Sequence, residues 1–431
     1  MQLLILIIGI SLLILISYQI SGQDILSPSI ILNFCYLVAA VTMLISWEVS
    51  YEWYTVGIIL LGLCSFEFME AFFYLNNNKK VEQIVAAINV SKIILFIVIL
   101  LQIITVILHA REIMRIGATG LWESVKIVRR QNMYATSLNS SQYVSFLISR
   151  LMKFNYAAAY VNLYIFLNNF MVTKKLRGNG MYIISVVIYI MQAFLSGGRQ
   201  QFIRISLAAM IIVLLNYKII NGWKTRISIR MMVKAMIFMF FVIFMFYNLR
   251  LFFGRKGQED YTLWNMFSIY YSGGLYLFNT YLEYPIRNSG NLIGSRTFLD
   301  FFNQLYKFGF LSQRVVPQLE FRQIGNSLTN TYTAFRYYYQ DFGIKGIIIM
   351  QIIYSHIFNT IYLQIKRNCV KWIIPIYSFL FFSLVMHVIA DQFFSILSIG
   401  FIETIVEIFI IYWIESHIAF RMGKIKAVNI R

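Results

Sequence analysis

Apolar residues in this chain come in long unbroken blocks, without the i, i+3, i+4 spacing of a helix that buries one face or the alternation of a half-buried strand. Eleven such blocks, 3–18, 29–47, 54–74, 91–109, 156–172, 181–195, 202–217, 234–249, 343–363, 372–390 and 398–415, have the length a helix needs to cross roughly 30 Å of hydrocarbon. The pattern predicts an all-α, polytopic integral membrane protein of about 11 transmembrane helices, with the whole chain, 1–431, forming one membrane domain. The first block lacks a basic leader and a small-residue cleavage pattern, so it is expected to remain as a crossing.

Polar connections set the orientation. KKLRG from Lys174, the run 218–234, KRNCVK from Lys366 and the tail RMGKIKAVNIR are all basic and fall on one side if the blocks alternate. The positive-inside rule makes that side cytoplasmic, with the N-terminus outside and the C-terminus inside. The segment 110–153 resists alternation: it is basic and partly amphipathic, and reads either as a helix lying on the membrane surface or as an uncounted crossing. No fixed-period or inverted repeat is visible.

Composition strengthens the membrane reading. Of 431 residues 59% are hydrophobic and only 13% charged, about half the charged share of soluble domains. A net charge of +19 raises nucleic acid as a partner, but the basic residues sit in short loops where membrane topology accounts for them. Cys35 and Cys64 lie inside apolar blocks and Cys369 in a basic loop, which gives no disulfide framework.

The longest region outside the blocks, 250–342, includes SIYYSGGLYLFNTYLEYP and is too aromatic for disorder, so a folded external cap is expected. Candidate anion-binding groups lie on or near that side. SGGRQQ from Ser196 presents Arg199 in a tight turn, with Arg204 just inside the next block; Arg250 and Arg255 bracket the entry to the cap, and Arg336 lies at its far end. Converging guanidinium groups suit phosphate oxygens through paired, charge-assisted hydrogen bonds, or simply hold anionic lipid headgroups. For proton transfer the candidates are Asp341 and the pair His387 and Asp391, whose spacing of four would place them on one helix face. Glu67 with Glu70 and Glu403 with Glu407 lie within apolar blocks, either as proton or cation sites or as partners for arginines such as Arg204. No cluster has metal-ligand spacing, and no nucleotide-binding glycine loop or serine nucleophile motif occurs, so neither metal nor cofactor is expected.

Four segments, SGGRQQ, YYSGGLYLFNTYL, GSRTFLDFFNQLYKFGF and NTYTAFRYYYQDFGIKG, in that order over 181–363, resemble the Wzy-type O-antigen polymerases, the oligosaccharide repeat-unit polymerase family. The resemblance implies a fold similar to O-antigen ligases and GT-C-like transferases, and a membrane glycosyltransferase of the bacterial inner membrane acting on the external, periplasmic face. Such an enzyme joins undecaprenyl-diphosphate-linked oligosaccharides into capsule, exopolysaccharide or O-antigen chains. A chain-length regulator and a flippase are the implied partners. Residues 197–199 and 330–346 would be its signature positions. Arg199, Arg204, Arg250, Arg255 and Arg336 would then serve the diphosphate, with Arg336, Asp341 and His387 catalytic. Asn330, Tyr332, Thr333, Tyr337 and Tyr338 would meet the sugars, the tyrosines through ring faces and hydroxyls. A ligase sharing the fold, and a lipid-linked oligosaccharide flippase or ion-coupled transporter using its intramembrane glutamates, are the alternatives.

Overall fold

The computed structural model describes residues 1–48, 50–75, 86–115, 120–134, 144–223, 225–252, 262–285, 292–316, 319–368 and 370–428. In chain order the helices are α1 (Gln2–Ile20), α2 (Pro28–Ser46), α3 (Trp53–Leu75), α4 (Lys92–Met114), α5 (Leu121–Tyr134), α6 (Phe146–Thr173), α7 (Gly180–Leu195), α8 (Gln200–Asn221), α9 (Ile229–Phe252), α10 (Leu263–Glu283) and α11 (Leu299–Lys307). A hairpin of β1 (Arg322–Ile324) and β2 (Ser327–Thr329) follows, then α12 (Ala334–Asn368), α13 (Ile373–Met386) and α14 (Ile399–Val428). Apart from that antiparallel hairpin, which pairs Arg322 with Thr329, the described chain is helical.

Seven helices, α1, α2, α3, α4, α8, α9 and α12, are long and apolar enough to cross a membrane, and this is a multi-pass membrane protein. In α9 only 6% of the most apolar stretch is buried, and Met236, Ile237, Phe240 and Phe241 stand exposed, as lipid-facing side chains do. Each of the eleven apolar blocks lies on a helix. Four of those helices fall outside the seven: α7 and α13 are short, at 16 and 14 residues, and polar residues interrupt the others, α6 with Asn155, Asn162, Asn168 and Asn169, and α14 with Glu403, Glu407 and Glu415. The 14-residue α5 spans about 21 Å, too short for a crossing. It rests Val125 and Val128 on Ile113 beside Phe194, Leu195 and Leu249, at the ends of α4, α7 and α9. The described part of 110–153 therefore contains no additional crossing.

The chain divides into two compact units. The first comprises Met1–Val81, Gly257–Asn368 and Leu380–Ser398; the second comprises Glu82–Lys256, Cys369–Phe379 and Ile399–Arg431. In the first unit α1, α2 and α3 pack together, and α12 packs along α3. The region expected to be an external cap contributes α10, which lies along α2, together with α11 and the hairpin. Close approach explains Gly274 on α10: a Cβ there would overlap the carbonyl oxygen of Val388 and press on the backbone nitrogen of Thr333. Trp47, just past α2, donates from Nε1 to Ser272 Oγ at 2.8 Å, and its ring fills the space under Gly325 in the hairpin turn.

In the second unit α6 is the central element, packed against α4, α7, α8 and α14. Its length of 28 residues, about 42 Å, exceeds the roughly 30 Å hydrocarbon thickness.

Candidate functional site

The aromatic stretch before the ninth apolar block folds as its own short helix. Gly343 has φ 65° and ψ −153°, a conformation that side-chain-bearing residues rarely adopt, and it separates 334–342 from the long apolar remainder of α12. Thr333 starts the short helix: its Oγ1 accepts the Phe335 N–H at 3.0 Å, while the Ala334 N–H donates to the His387 carbonyl at 2.9 Å. This break turns Arg336, Tyr337 and Gln340 toward the cap segments and leaves the apolar part free to cross.

Arg336 is 1% exposed and lies in a cage of partners. Its Nη2 is 3.3 Å from Glu320 Oε1, Nη1 donates to Gln340 Oε1 at 2.5 Å, and the guanidinium lies 3.2 Å from the centre of the Tyr281 ring. Glu320 is the hub: it also accepts the Tyr332 hydroxyl at 3.0 Å and lies 3.8 Å from Arg322 Nε. Arg322 is tied by its other nitrogens to the carbonyls of Thr280 and Tyr284 at 2.9 and 2.6 Å. Arg296 adds a third guanidinium, donating to the Val316 carbonyl at 2.6 Å, with its Nε buried and without a partner among the described residues. Burial, and then the neighbouring Arg336 charge, hold the Arg296 pKa below the ordinary arginine value. Tyr332 is raised above the usual tyrosine range, first by burial and then by the Glu320 carboxylate.

Asp341 holds this arrangement together. One carboxylate oxygen accepts the backbone N–H groups of Arg296 at 3.0 Å and Thr297 at 2.6 Å, clamping the 292–298 turn onto α12. That contact makes Asp341 a structural acceptor and weakens its case as a base. His387 is 1% exposed, with Nδ1 2.8 Å from the Tyr36 hydroxyl and Nε2 2.8 Å from the Gln351 amide, so both ring nitrogens are engaged. Phe335, Tyr338 and Tyr354 surround its ring. The expected helical pairing of His387 with Asp391 is absent. Because α13 ends at Met386, the spacing of four no longer shares a face, and Asp391 instead accepts the N–H groups of Phe393, Phe394 and Ser395 at 2.9, 3.1 and 3.0 Å. Burial raises the Asp391 pKa to about 7 against these donors, which favour the ionised form.

The expected sugar-facing residues divide. Tyr332 at 1%, Tyr338 at 0% and Thr333 at 0% exposure are core residues packed against protein. Asn330 and Tyr337 are half-buried, and Tyr339 at a half-buried edge hydrogen-bonds the exposed Tyr54 hydroxyl at 3.0 Å.

The remaining arginines belong to the second unit. Arg199, 8% exposed, donates to the Phe246 carbonyl at 3.2 Å and stacks on the Phe246 ring, and Arg204 lies among Tyr156, Tyr160 and Tyr189. Arg250 ends α9 with its side chain outside the description, and Arg255 lies outside the described residues. The intramembrane glutamates are paired in part: Glu403 binds Arg150 and Lys153, the latter at 2.8 Å, and Glu70 accepts from Ser27 Oγ and, at 2.9 Å, from the Ser29 N–H. Among the described residues no group of three or more His, Cys, Asp or Glu is placed to hold a metal ion.

Sequence reading missed Glu320, Arg296 and Arg322. All three stood in plain view, in GSRTF and in EFRQ, but nothing local marks them as partners of a residue many positions away. Comparison of the chain with protein-family models, with curated proteins and with solved structures finds no match.

Proposed function

We propose that this protein is a glycosyltransferase that joins lipid-diphosphate-linked oligosaccharides at the membrane face where α12 begins, as its four sequence segments suggest. The observation that carries the reading is the gathering of Arg296, Arg322 and Arg336 around Glu320, with Glu320 and Arg322 half-buried. Displacing a diphosphate from a sugar develops negative charge on the leaving group, and fixed guanidinium groups out of bulk water are suited to stabilise it. Such a ligand would compete with Glu320 for the arginines. Glu320, once released from Arg336, is the carboxylate placed to take the acceptor hydroxyl's proton. Tyr54, Tyr339, Tyr337 and Asn330 supply the aromatic edges and amide for sugars.

Removing the gene from its host and analysing lipid-linked glycans tests this. Accumulated single repeat units on the outer leaflet are expected. Long chains left on the lipid would indicate a ligase, and single units confined to the inner leaflet would indicate a flippase.

A further inference from the structure

The second unit carries polar side chains through the interior of helices that should be apolar. On α6, Asn155 and Asn162 are both 0% exposed and lie seven residues apart, on one face and about 10 Å apart along the axis. Each anchors a layer. In the first, Gln102 of α4 donates to Asn155 Oδ1 at 2.5 Å and Asn155 donates to Gln192 of α7. In the second, Asn162 Nδ2 lies 3.3 Å from both Ser185 Oγ of α7 and Glu415 Oε1 of α14.

Interhelical amides often serve only to hold membrane helices together. Groups that do only this satisfy one another, and these do not. Gln102 Oε1 and Gln192 Nε2 in the first layer, and Asn162 Oδ1 and Glu415 Oε2 in the second, are buried without a hydrogen-bond partner among the described residues. Glu415 is 0% exposed and has no ion-pair partner there. Unmatched donors and acceptors in consecutive layers are the surroundings that bind ordered water, and an intramembrane carboxylate without a cation is costly unless it holds a proton.

The layers are also continued toward both ends of α6. Toward the α7–α8 turn, Tyr189 donates to Gln201 Oε1 at 2.9 Å. Toward the α6–α7 connection, Tyr182 is the titratable group beside Glu415. Of the other charged groups on or facing α14, Glu403 and Glu407 lie two or more turns away, opposite Arg150 and Lys153.

We propose that the second unit is a proton relay, in which protons pass through water held by the Asn155 and Asn162 layers and are taken up and released by the Glu415 carboxylate. The balance is simple: one proton joins a carboxylate oxygen from one side and one leaves to the other, with no bond to carbon changed. This activity does not rest on the glycosyltransferase reading.

The test uses the full chain in phosphatidylcholine–phosphatidylglycerol vesicles with a pH-sensitive dye inside and a potassium diffusion potential set by valinomycin. Proton entry faster than in protein-free vesicles is expected, falling to the protein-free rate in Glu415→Gln. Entry at the protein-free rate with the unaltered chain overturns the proposal, as does undiminished entry in a folded Glu415→Gln. Should that variant fail to give a monodisperse size-exclusion peak, Asn162→Leu keeps the carboxylate but removes the polar layer. Slower entry is expected from it, and an unchanged rate in the folded protein overturns the relay.

Discussion

The Arg336 cluster of the first unit and the Asn155 and Asn162 layers of the second bury polar groups in opposite ways. In the first, charges collect where helices end: Arg336 at the start of α12, Glu320 and Arg322 before and within the hairpin, and Asp341 just before the Gly343 break. Most of these groups are paired, and one pairing often fixes two segments at once. In the second, neutral amides sit in helix interiors, and several keep an atom without a partner among the described residues. The difference follows from what each arrangement must resist. A charge can be buried only if a partner comes with it, so charged clusters form where loops can bend to bring partners in. Amides tolerate partial satisfaction when water can reach them, so they can line a straight helix.

Five substitutions test that contrast, beginning with the most damaging. Gly274→Ala should prevent the first unit from packing, because its new methyl group meets backbone at Val388 that cannot rotate away; a loss above about 3 kcal/mol is expected, read as absence of folded protein on size exclusion. Arg336→Ala should abolish polymer in the host and lower stability by about 2 kcal/mol, since Glu320 loses its most buried partner and keeps only the longer-range Arg322 and Arg296. Normal polymer length in that variant would remove the arginine cluster from the proposed chemistry. Asp341→Ala leaves the N–H groups of Arg296 and Thr297 without their acceptor and should cost about 2 kcal/mol in thermal unfolding. Asp341→Asn retains an acceptor oxygen, so its polymer should stay near normal; complete loss with unchanged stability would restore Asp341 as the base. Smallest of all, Asn155→Leu in the second unit should shift stability by about 1 kcal/mol or less. A cost as large as that of Arg336→Ala would show that its amides are structural in the same sense as the first unit's charges.

Sequence reading placed the apolar blocks well because a membrane imposes one rule on every residue of a crossing. It gave no sign that the expected cap would contain α10: Gly273, Gly274 and four tyrosines dilute the apolarity of this helix, which packs along α2. The His387 and Asp391 pairing failed for a local reason. The spacing argument assumes an unbroken helix, and α13 ends at Met386, five residues short of Asp391. The Asp391 contacts with the three residues that follow are those of a turn-forming aspartate, a signal that ADQFFS carried and the helical reading overlooked.

What the sequence by itself determined is the solvent: long apolar blocks and basic connections point to a helical protein crossing a membrane, because a continuous apolar block satisfies its backbone hydrogen bonds in hydrocarbon by itself only as a helix, whereas barrel strands would alternate. What only the tertiary structure decided is which polar residues meet. Arg336 finds Glu320 across 16 positions, and Asn162 finds Glu415 across 253. Such pairings depend on how helices pack and where Gly343 bends the chain, and no short-range pattern in the sequence encodes them.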